Sequence, residues 1–415
     1  MNTPRTVGVL GAGIVGLSTA LTLQHAGFNV TIFDKAEPGN GASFGNAGIF
    51  ADYARLPMSS FSNLIAMPSM LLDSESPLSI KKSYLSRMLP YGYRFAMATL
   101  PTHYKKGGDV LTDLSELSLD ASEKLWNIAD AHDLIGTCGC LALYGSEGGI
   151  SKGLAKQMAE RQSRGVPLAY LNPKEVHDLE PDLLPFYTGG IHYKSTKFAK
   201  SPIHLSHRYF GKFLEMGGQF IQTEVSDVKA DEQHAVVSHA KGTDRFDAIV
   251  LAAGVSSREL AKRLGSNMPL VSERGYHLMV DAGERRINRP VVWLDRSVFL
   301  TPMNDGVRVA GTAEFAFPDD TPSATRSDLI LRIARTMFGD ALQERSEWVG
   351  SRPSMPDSLP VIGYSPKSER VIFAFGHGHL GLSLSAATGA LVCQMLEGQS
   401  PHHALKALSP ARFAS

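Results

Sequence analysis

Near the start of the chain a strand runs straight into a turn with glycine at three fixed positions, and no other stretch limits the fold as much. Val7-Gly8-Val9-Leu10 reads as a buried strand, Gly11-Ala12-Gly13-Ile14-Val15-Gly16 follows it, and the pattern from Ile14 to Ala26 is helical until Gly27 stops it. A second strand, Val30-Thr31-Ile32-Phe33, ends on Asp34. Strand, glycine turn, helix and acid-tipped strand in this order are the parts of a βαβ unit that holds a dinucleotide. Gly11 permits the tight turn, Gly13 lets backbone N–H groups approach a pyrophosphate, and Gly16 lets the helix lie close on the strand. The start of the helix, through Ala12, Ile14 and Val15, offers unpaired donors and positive potential to the phosphates. Asp34, with Lys35 behind it, stands where a carboxylate accepts ribose hydroxyls. A glycine turn alone would say little; the strand, helix and acid around it make dinucleotide binding the reading.

Composition narrows the class. At 415 residues the chain exceeds what one core holds, so two domains are expected. Lys plus Arg and Asp plus Glu both number 41, which gives no general attraction to nucleic acid. The first strand starts within a few residues of Met1, so no signal peptide is expected and the chain reads as cytoplasmic. No uncharged apolar run is expected to be long enough to cross a bilayer. Cys138 and Cys140 fall on one face of an expected strand, Thr137 to Tyr144, too close along it for a disulfide. With Cys393 they read as buried or half-buried thiols, and no metal-ligand spacing occurs.

After Asp34 comes a polar glycine-rich loop, Gly39 to Gly48, suited to backbone lying flat against a ligand. From about Leu78 to Lys106 a helical pattern interleaves Tyr84, Tyr91, Tyr93, Phe95 and Tyr104 with Lys81, Lys82, Arg87, Arg94, Lys105 and Lys106. This fits a helix on a membrane surface or an arm packed on the domain, and the breaks in the pattern favour the arm. Leu111 to His132 reads as a second long helix. Beyond Gly217-Gly218 a strand meander is expected over Gln219–Glu224, Val225–Ala230, Ala235–His239 and Arg245–Leu251, ending in the small residues Ala252-Ala253-Gly254. Near the C-terminus, Gly350-Ser351-Arg352-Pro353 precedes a buried strand, Val371 to Phe375, the turn Gly376-His377-Gly378-His379-Leu380-Gly381 and a helix from Leu382 to Leu396. A second strand–turn–helix so far from the first implies a discontinuous cofactor domain in which the two ends of the chain meet.

Together these stretches resemble the D-amino-acid oxidase superfamily of FAD enzymes, and bacterial D-amino-acid dehydrogenases in particular. The resemblance covers essentially the whole chain and rests most on Ser43-Phe44-Gly45-Asn46-Ala47-Gly48, on Gly350 to Pro353 with Asp357 and Pro360 behind it, and on Gly376-His377-Gly378. It implies an α/β protein with a Rossmann-like FAD-binding domain from residues 1–50, 200–262 and 348–415. The substrate domain, with a mixed or antiparallel sheet and a helical arm, takes 51–199 and 263–347. The resemblance places Asn46, Ala47 and Gly48 at the flavin and Val225 near the adenine; Ser43 is a further cofactor-binding candidate, and the small residues up to Gly254 let a second piece of backbone close over the cofactor. The turn Gly378, His379, Leu380, Gly381 and Leu382 faces the flavin N1–C2=O edge. A helix N-terminus stabilises the negative charge of a reduced flavin there by about 1 kcal/mol or more. The FAD is expected to be noncovalent.

The reaction so implied removes a hydride from the Cα of an amino acid to flavin N5, leaving an imino acid that water hydrolyses. Such chemistry needs the Cα–H aimed, and a planar guanidinium gripping the carboxylate does the aiming. Arg352 matches that arginine, and Tyr276 and His379 are the other candidate substrate-facing residues, with His277 behind them. Where glycine-oxidase-like relatives carry a tyrosine, this chain has Phe299. Lys197 and Lys200 replace a more acidic stretch and are expected to face solvent. A D-amino acid fits best, with cyclic D-proline or D-hydroxyproline as a subset, and a quinone or carrier protein as electron acceptor. The competing readings are a glycine or sarcosine-type oxidase, and a flavin subunit of an electron-transfer complex with exposed apolar surface around Leu78 to Lys106.

Overall fold

Short apolar strands from three separate stretches of sequence assemble into one sheet. The computed structural model describes residues 5–73, 75–145, 149–400 and 402–413. The sheet has six strands in the order Gln219–Gln222, Asn29–Asp34, Thr6–Leu10, Ala248–Leu251, Ser368–Phe375, Val361–Ser365. The first five run parallel and the last is antiparallel to its neighbour. Central strands of this kind are covered on both faces, which is why Val7 to Leu10 and Ala248 to Leu251 are continuously apolar or small and buried. Helix Ile14–His25 lies against helix Gly381–Leu396, and the contact needs a glycine. A Cβ on Gly389 would sit 2.9 Å from Thr22 Oγ1 and 3.0 Å from the Ser18 carbonyl oxygen. Strands Thr6–Leu10 and Ser368–Phe375 flank Ala248–Leu251 in parallel, so the two glycine turns open at the same, carboxyl edge of the sheet.

A second sheet of nine strands holds the middle of the chain. Its path is Gln343–Ser354, Val271–Asp281, Gly306–Phe315, Val298–Met303, Val291–Trp293, Cys140–Tyr144, Gly189–Tyr193 and Leu168–Leu171, with Leu78–Ile80 pairing parallel to Gly306–Phe315. Helix Ala324–Phe338 covers one face, packing Ile330 and Met337 over Tyr276, Leu278 and Val309. The other face looks toward the loop after Asp34. A small sheet of Ile49–Phe50, Lys197–Ala199 and Ile135–Gly136 ties that loop down.

Several expectations change. Strand Gln219–Gln222 joins the parallel sheet beside Asn29–Asp34, and only Val225–Ala230, Ala235–His239 and Gly242–Phe246 form the meander. The second long helix begins at Pro101 and runs to Ala129, because Gly107 and Gly108 are contact points and not breaks. A Cβ on Gly107 would lie 2.9 Å from Pro57 Cγ, and one on Gly108 2.7 Å from the Arg164 guanidinium. Leu78–Ile80 is a strand, followed by the helix Leu85–Ala98, and Phe61–Leu72 forms a further helix that the sequence pattern had not separated. Strand Gln343–Ser354 belongs whole to the nine-stranded sheet, so the boundary expected at residue 348 falls inside it. Cys138 lies off the strand and is exposed, its thiol 3.0 Å from the Asn288 carbonyl oxygen, whereas Cys140 and Cys393 are buried; all three are free. The stretch Gly378–Leu396 does have the length and apolarity of a membrane span, contrary to expectation, but 72% of that window is buried inside the protein.

Candidate active site

The N-terminal turn is as tight as its glycines suggest. Gly11 has φ +112°, and a Cβ there would meet the Ala252 carbonyl oxygen at 2.4 Å and Ala253 Cα at 2.9 Å. The small residues Ala252-Ala253-Gly254 are therefore what allows the turn to pass the next strand, and Gly254 itself takes φ +55°. A Cβ on Gly16 would lie 1.9 Å from the Gly11 carbonyl oxygen, while at Gly13 it would meet only Ser43 Oγ, at 3.3 Å. Gly13 thus faces open space beside the helix start, the cradle a pyrophosphate requires. Ser43 Oγ accepts from Ile14 N–H at 2.8 Å, and among the described residues the Val15 and Gly16 N–H groups have no acceptor. Asp34 accepts from Ala12 N–H at 2.7 Å and from Ala36 N–H at 3.0 Å, one bond per oxygen, which leaves lone pairs for ribose hydroxyls. Lys35 is exposed, and half-buried Val225 begins the meander strand that follows Thr223, whose N–H binds the Asp34 carbonyl.

The loop Ser43 to Gly48 is held from below by the second sheet. Arg308 donates from Nη1 to the carbonyl oxygens of Phe44 at 2.8 Å and Asn46 at 2.7 Å, Thr301 Oγ1 donates to Ala47 O at 2.8 Å, and Asn46 Oδ1 accepts from Gly48 N–H at 2.8 Å. Gly48, at φ +79°, passes the Ala199 carbonyl so closely that a Cβ would lie 2.9 Å from it. His277 donates from Nδ1 to Gly45 O at 3.2 Å and stacks on Trp348, ring centroids 5.1 Å apart. Burial, with the nearby Arg308 charge, pushes its pKa down to about 3, so the imidazole is neutral. Burial likewise brings Arg308 down to about 10, and it stays a cation at neutral pH.

Between this loop and the C-terminal turn the strands Val271–Asp281 and Gln343–Ser354 present three successive cross-strand pairs on one face: His277 with Trp348, Gly275 with Gly350, and Glu273 with Arg352. The glycine pair makes room. A Cβ on Gly350 would meet Trp348 at 2.1 Å, and one on Gly275 would meet Arg352 Nη2 at 2.2 Å and Cζ at 2.5 Å. The indole and the guanidinium therefore lie folded down onto the sheet. Arg352 Nη1 donates to Glu273 Oε1 at 3.0 Å and to Thr312 O at 3.3 Å. A bulge brings that carbonyl there, for the pairing of Val271–Asp281 with Gly306–Phe315 shifts between Arg274 and Tyr276, and Thr312 takes φ +60°. Among the described residues neither Nε nor Nη2 of Arg352 has an acceptor, and its side chain is 27% exposed. A guanidinium pinned by one nitrogen with a free Nε–Nη2 edge is set to take a carboxylate in two parallel hydrogen bonds.

Glu273 is a residue the sequence reading missed. Its second oxygen accepts from Ser354 Oγ at 2.7 Å, and Ser354 bridges to His377 at the start of the C-terminal turn. The signal was present in the period-two alternation that sets Glu273, Gly275 and His277 on one face. His379 is exposed yet surrounded by enough protein that desolvation lowers its pKa; Glu273 pulls it up and Arg352 pushes it down, so both groups lie within electrostatic reach. Gly378 is at φ +53°, Leu380 and Leu382 are buried, and Gly381 opens the helix without any side-chain cap. His377 is buried, bonds Thr388 Oγ1 through Nε2 at 2.8 Å, and burial takes its pKa to about 3.

Tyr276 is not brought to this face. It points into the core under helix Ala324–Phe338, donates to Glu314 Oε2 at 2.7 Å and accepts from Ser323 N–H at 3.0 Å, so its hydroxyl is satisfied away from Arg352. Phe299 shares its face of the sheet with Thr301 and Met303, toward the glycine loop, and adds an apolar wall without a hydroxyl. Lys197 and Lys200 do not simply face solvent: Lys197 pairs with Glu123 at 3.1 Å over the Trp126 ring, and Lys200 binds the Asp133 carbonyl.

The family model described as FAD dependent oxidoreductase matches residues 6–395. A D-amino-acid oxidase of Bradyrhizobium diazoefficiens is 32% identical over 99% of both chains. D-amino acid dehydrogenase 2 of Mesorhizobium japonicum is 24% identical, over 95% of this chain and 96% of its own. Among solved structures, glycine oxidase from Geobacillus kaustophilus superposes with TM-score 0.77 at 21% identity, covering 99% of each chain. L-proline dehydrogenase from P. horikoshii gives 0.75 at 18%, covering 100% of this chain and 98% of its own.

Proposed function

The chain belongs to the FAD-dependent oxidoreductase family, whose relatives here act on amino acids, and within that chemistry we propose that it is a D-amino-acid dehydrogenase. Bound FAD supplies the two-electron acceptor for a hydride leaving the substrate Cα. The chain's own residues bind and aim. Arg352 takes the substrate carboxylate on its free Nε–Nη2 edge, and Glu273 with the Thr312 carbonyl keeps that edge in place. Glu273 also offers an acceptor to the substrate amine, and His379 lies within electrostatic reach of Glu273 and Arg352. Phe44, Trp348 and Phe299 wall the site with apolar surface, favouring an aliphatic or cyclic side chain such as that of D-proline. FAD is held noncovalently by Gly11 to Gly16, Asp34, the Ser43–Gly48 loop and the Gly378–Leu382 turn. Its binding unit is drawn from residues 1–50, 200–262 and the chain that follows strand Gln343–Ser354. A quinone or carrier protein takes the electrons.

The observation that carries this reading is the one-sided pinning of Arg352. Arg352→Lys and Arg352→Ala should raise KM strongly and lower kcat with the flavin retained; near-normal kinetics in both would refute the role. A second reading, an oxidase reducing O2, is favoured by the 32% identity to a D-amino-acid oxidase. Peroxide made at the turnover rate under air would select it.

A further inference from the structure

The arm beside the site carries apolar side chains on its outer surface. Among the described residues, ten of the fourteen exposed large hydrophobic ones fall between Met58 and Leu100. Helix Leu85–Ala98 packs Tyr91 and Phe95 inward with Tyr84, Val271 and Phe315, while Leu85, Leu89, Tyr93 and Met97 recur every fourth residue on the opposite side, 43–77% exposed, and Leu100 continues the row. Helix Phe61–Leu72 repeats the pattern, with Leu64 and Met67 against the same cluster and Phe61, Ile65 and Leu72 outward, Leu72 at 89% exposure. A helix with one apolar stripe is explained by its own core; a second stripe facing away needs another apolar medium.

Charge says which medium. Residues 76–108 contain six lysines and arginines and no aspartate or glutamate. Lys82, Lys105 and Lys106 are exposed, Arg87 is half-buried, Lys81 binds the Thr321 carbonyl and Arg94 lies over Phe413. The acids that flank this stretch in sequence are Asp73, Glu75 and Asp109; Glu75 is held by Arg332 at 2.9 Å and Asp109 by Arg164 at 2.8 Å. Protein interfaces are depleted in lysine, whereas apolar stripes edged by lysine suit the headgroup boundary of an anionic bilayer. We propose that the outer faces of Phe61–Leu72 and Leu85–Ala98 dock on an anionic lipid surface. This stands independently of the proposed reaction. It also seats the Glu273–Arg352 pair on the membrane side of the protein, because Tyr91 and Phe95, on the inner side of the same helix, pack with Val271 of the strand that carries Glu273.

The test uses the full FAD-loaded chain and cosedimentation with vesicles of phosphatidylglycerol and phosphatidylcholine, against phosphatidylcholine alone. Binding to the anionic vesicles, weakened by salt, is expected. Leu72→Ser and Leu89→Ser should each lower partitioning by about tenfold or more. Lys82→Ser, Lys105→Ser and Lys106→Ser should each cost about fivefold, on anionic vesicles only. Flavin content and activity in solution should be unchanged in all five. No preference for anionic vesicles, or equal binding by the leucine variants, overturns the proposal. So does a vesicle-indifferent oligomer that Leu72→Ser and Leu89→Ser dissociate, which would make the face a protein interface.

Discussion

Gly275→Ala tests the role of Arg352 without touching it. The strand there is extended, so alanine fits the backbone, but its Cβ would stand 2.2 Å from Arg352 Nη2, about 1.2 Å inside the 3.4 Å at which ordinary contact begins. The far end of a flexible side chain yields most easily, so the fold should survive while the guanidinium lifts off the sheet by about 1 Å. A displacement of that size at a group that aims the reacting bond costs on the order of 100-fold, or about 2.7 kcal/mol of transition-state stabilisation. The assay is kcat/KM for a D-amino acid with a dye acceptor, beside flavin content and melting temperature. A fall of about two orders with flavin and melting temperature nearly intact is expected. Activity within about threefold of wild type would refute the claim that Arg352 in its present pose holds the substrate.

Glu273→Gln keeps the hydrogen bond to Arg352 but removes the charge beside it; KM should rise less than kcat falls if Glu273 also receives the amine, and a pure KM effect would leave it as a positioning residue only. Gly16→Ala places a Cβ 1.9 Å from the Gly11 carbonyl oxygen, backbone that cannot yield, and should cost about 1–3 kcal/mol or more with loss of bound flavin; a normal flavin spectrum would contradict the cradle. His277 and His377 titrate near 3 when folded and near 6.5 when unfolded, so acid protonates the unfolded chain first. Stability should therefore fall as pH drops below about 6.5, by up to about 1.4 kcal/mol per pH unit for each histidine, and His377→Gln should flatten the acid limb of melting temperature against pH.

Where local chemistry decides the structure, the sequence was enough. Gly11, Gly13 and Gly16 act within a few residues of one another, and both the N-terminal βαβ unit and the Gly376–Leu396 turn and helix follow from that. The site beyond the cofactor depended on pairings across long separations. Tyr276 was placed at the substrate because nothing local reveals that Glu314 and Ser323 satisfy its hydroxyl from the other face. Glu273 went unseen because its partner, Arg352, lies 79 residues away on an adjacent strand whose register the sequence does not specify. The run of the second long helix through Gly107 and Gly108 is decided in a related way: whether a glycine ends a helix or admits a neighbour depends on what packs there, here Pro57 and Arg164.

Anaerobic reduction of the bound flavin, followed by its absorbance in single turnover, tests the central claim most directly. D-amino acids, cyclic ones included, should bleach the wild-type protein while their L-enantiomers leave it yellow, and Arg352→Ala should keep its flavin but bleach at least about 100-fold more slowly. Equal bleaching by both enantiomers, or an undiminished rate in Arg352→Ala, would contradict it.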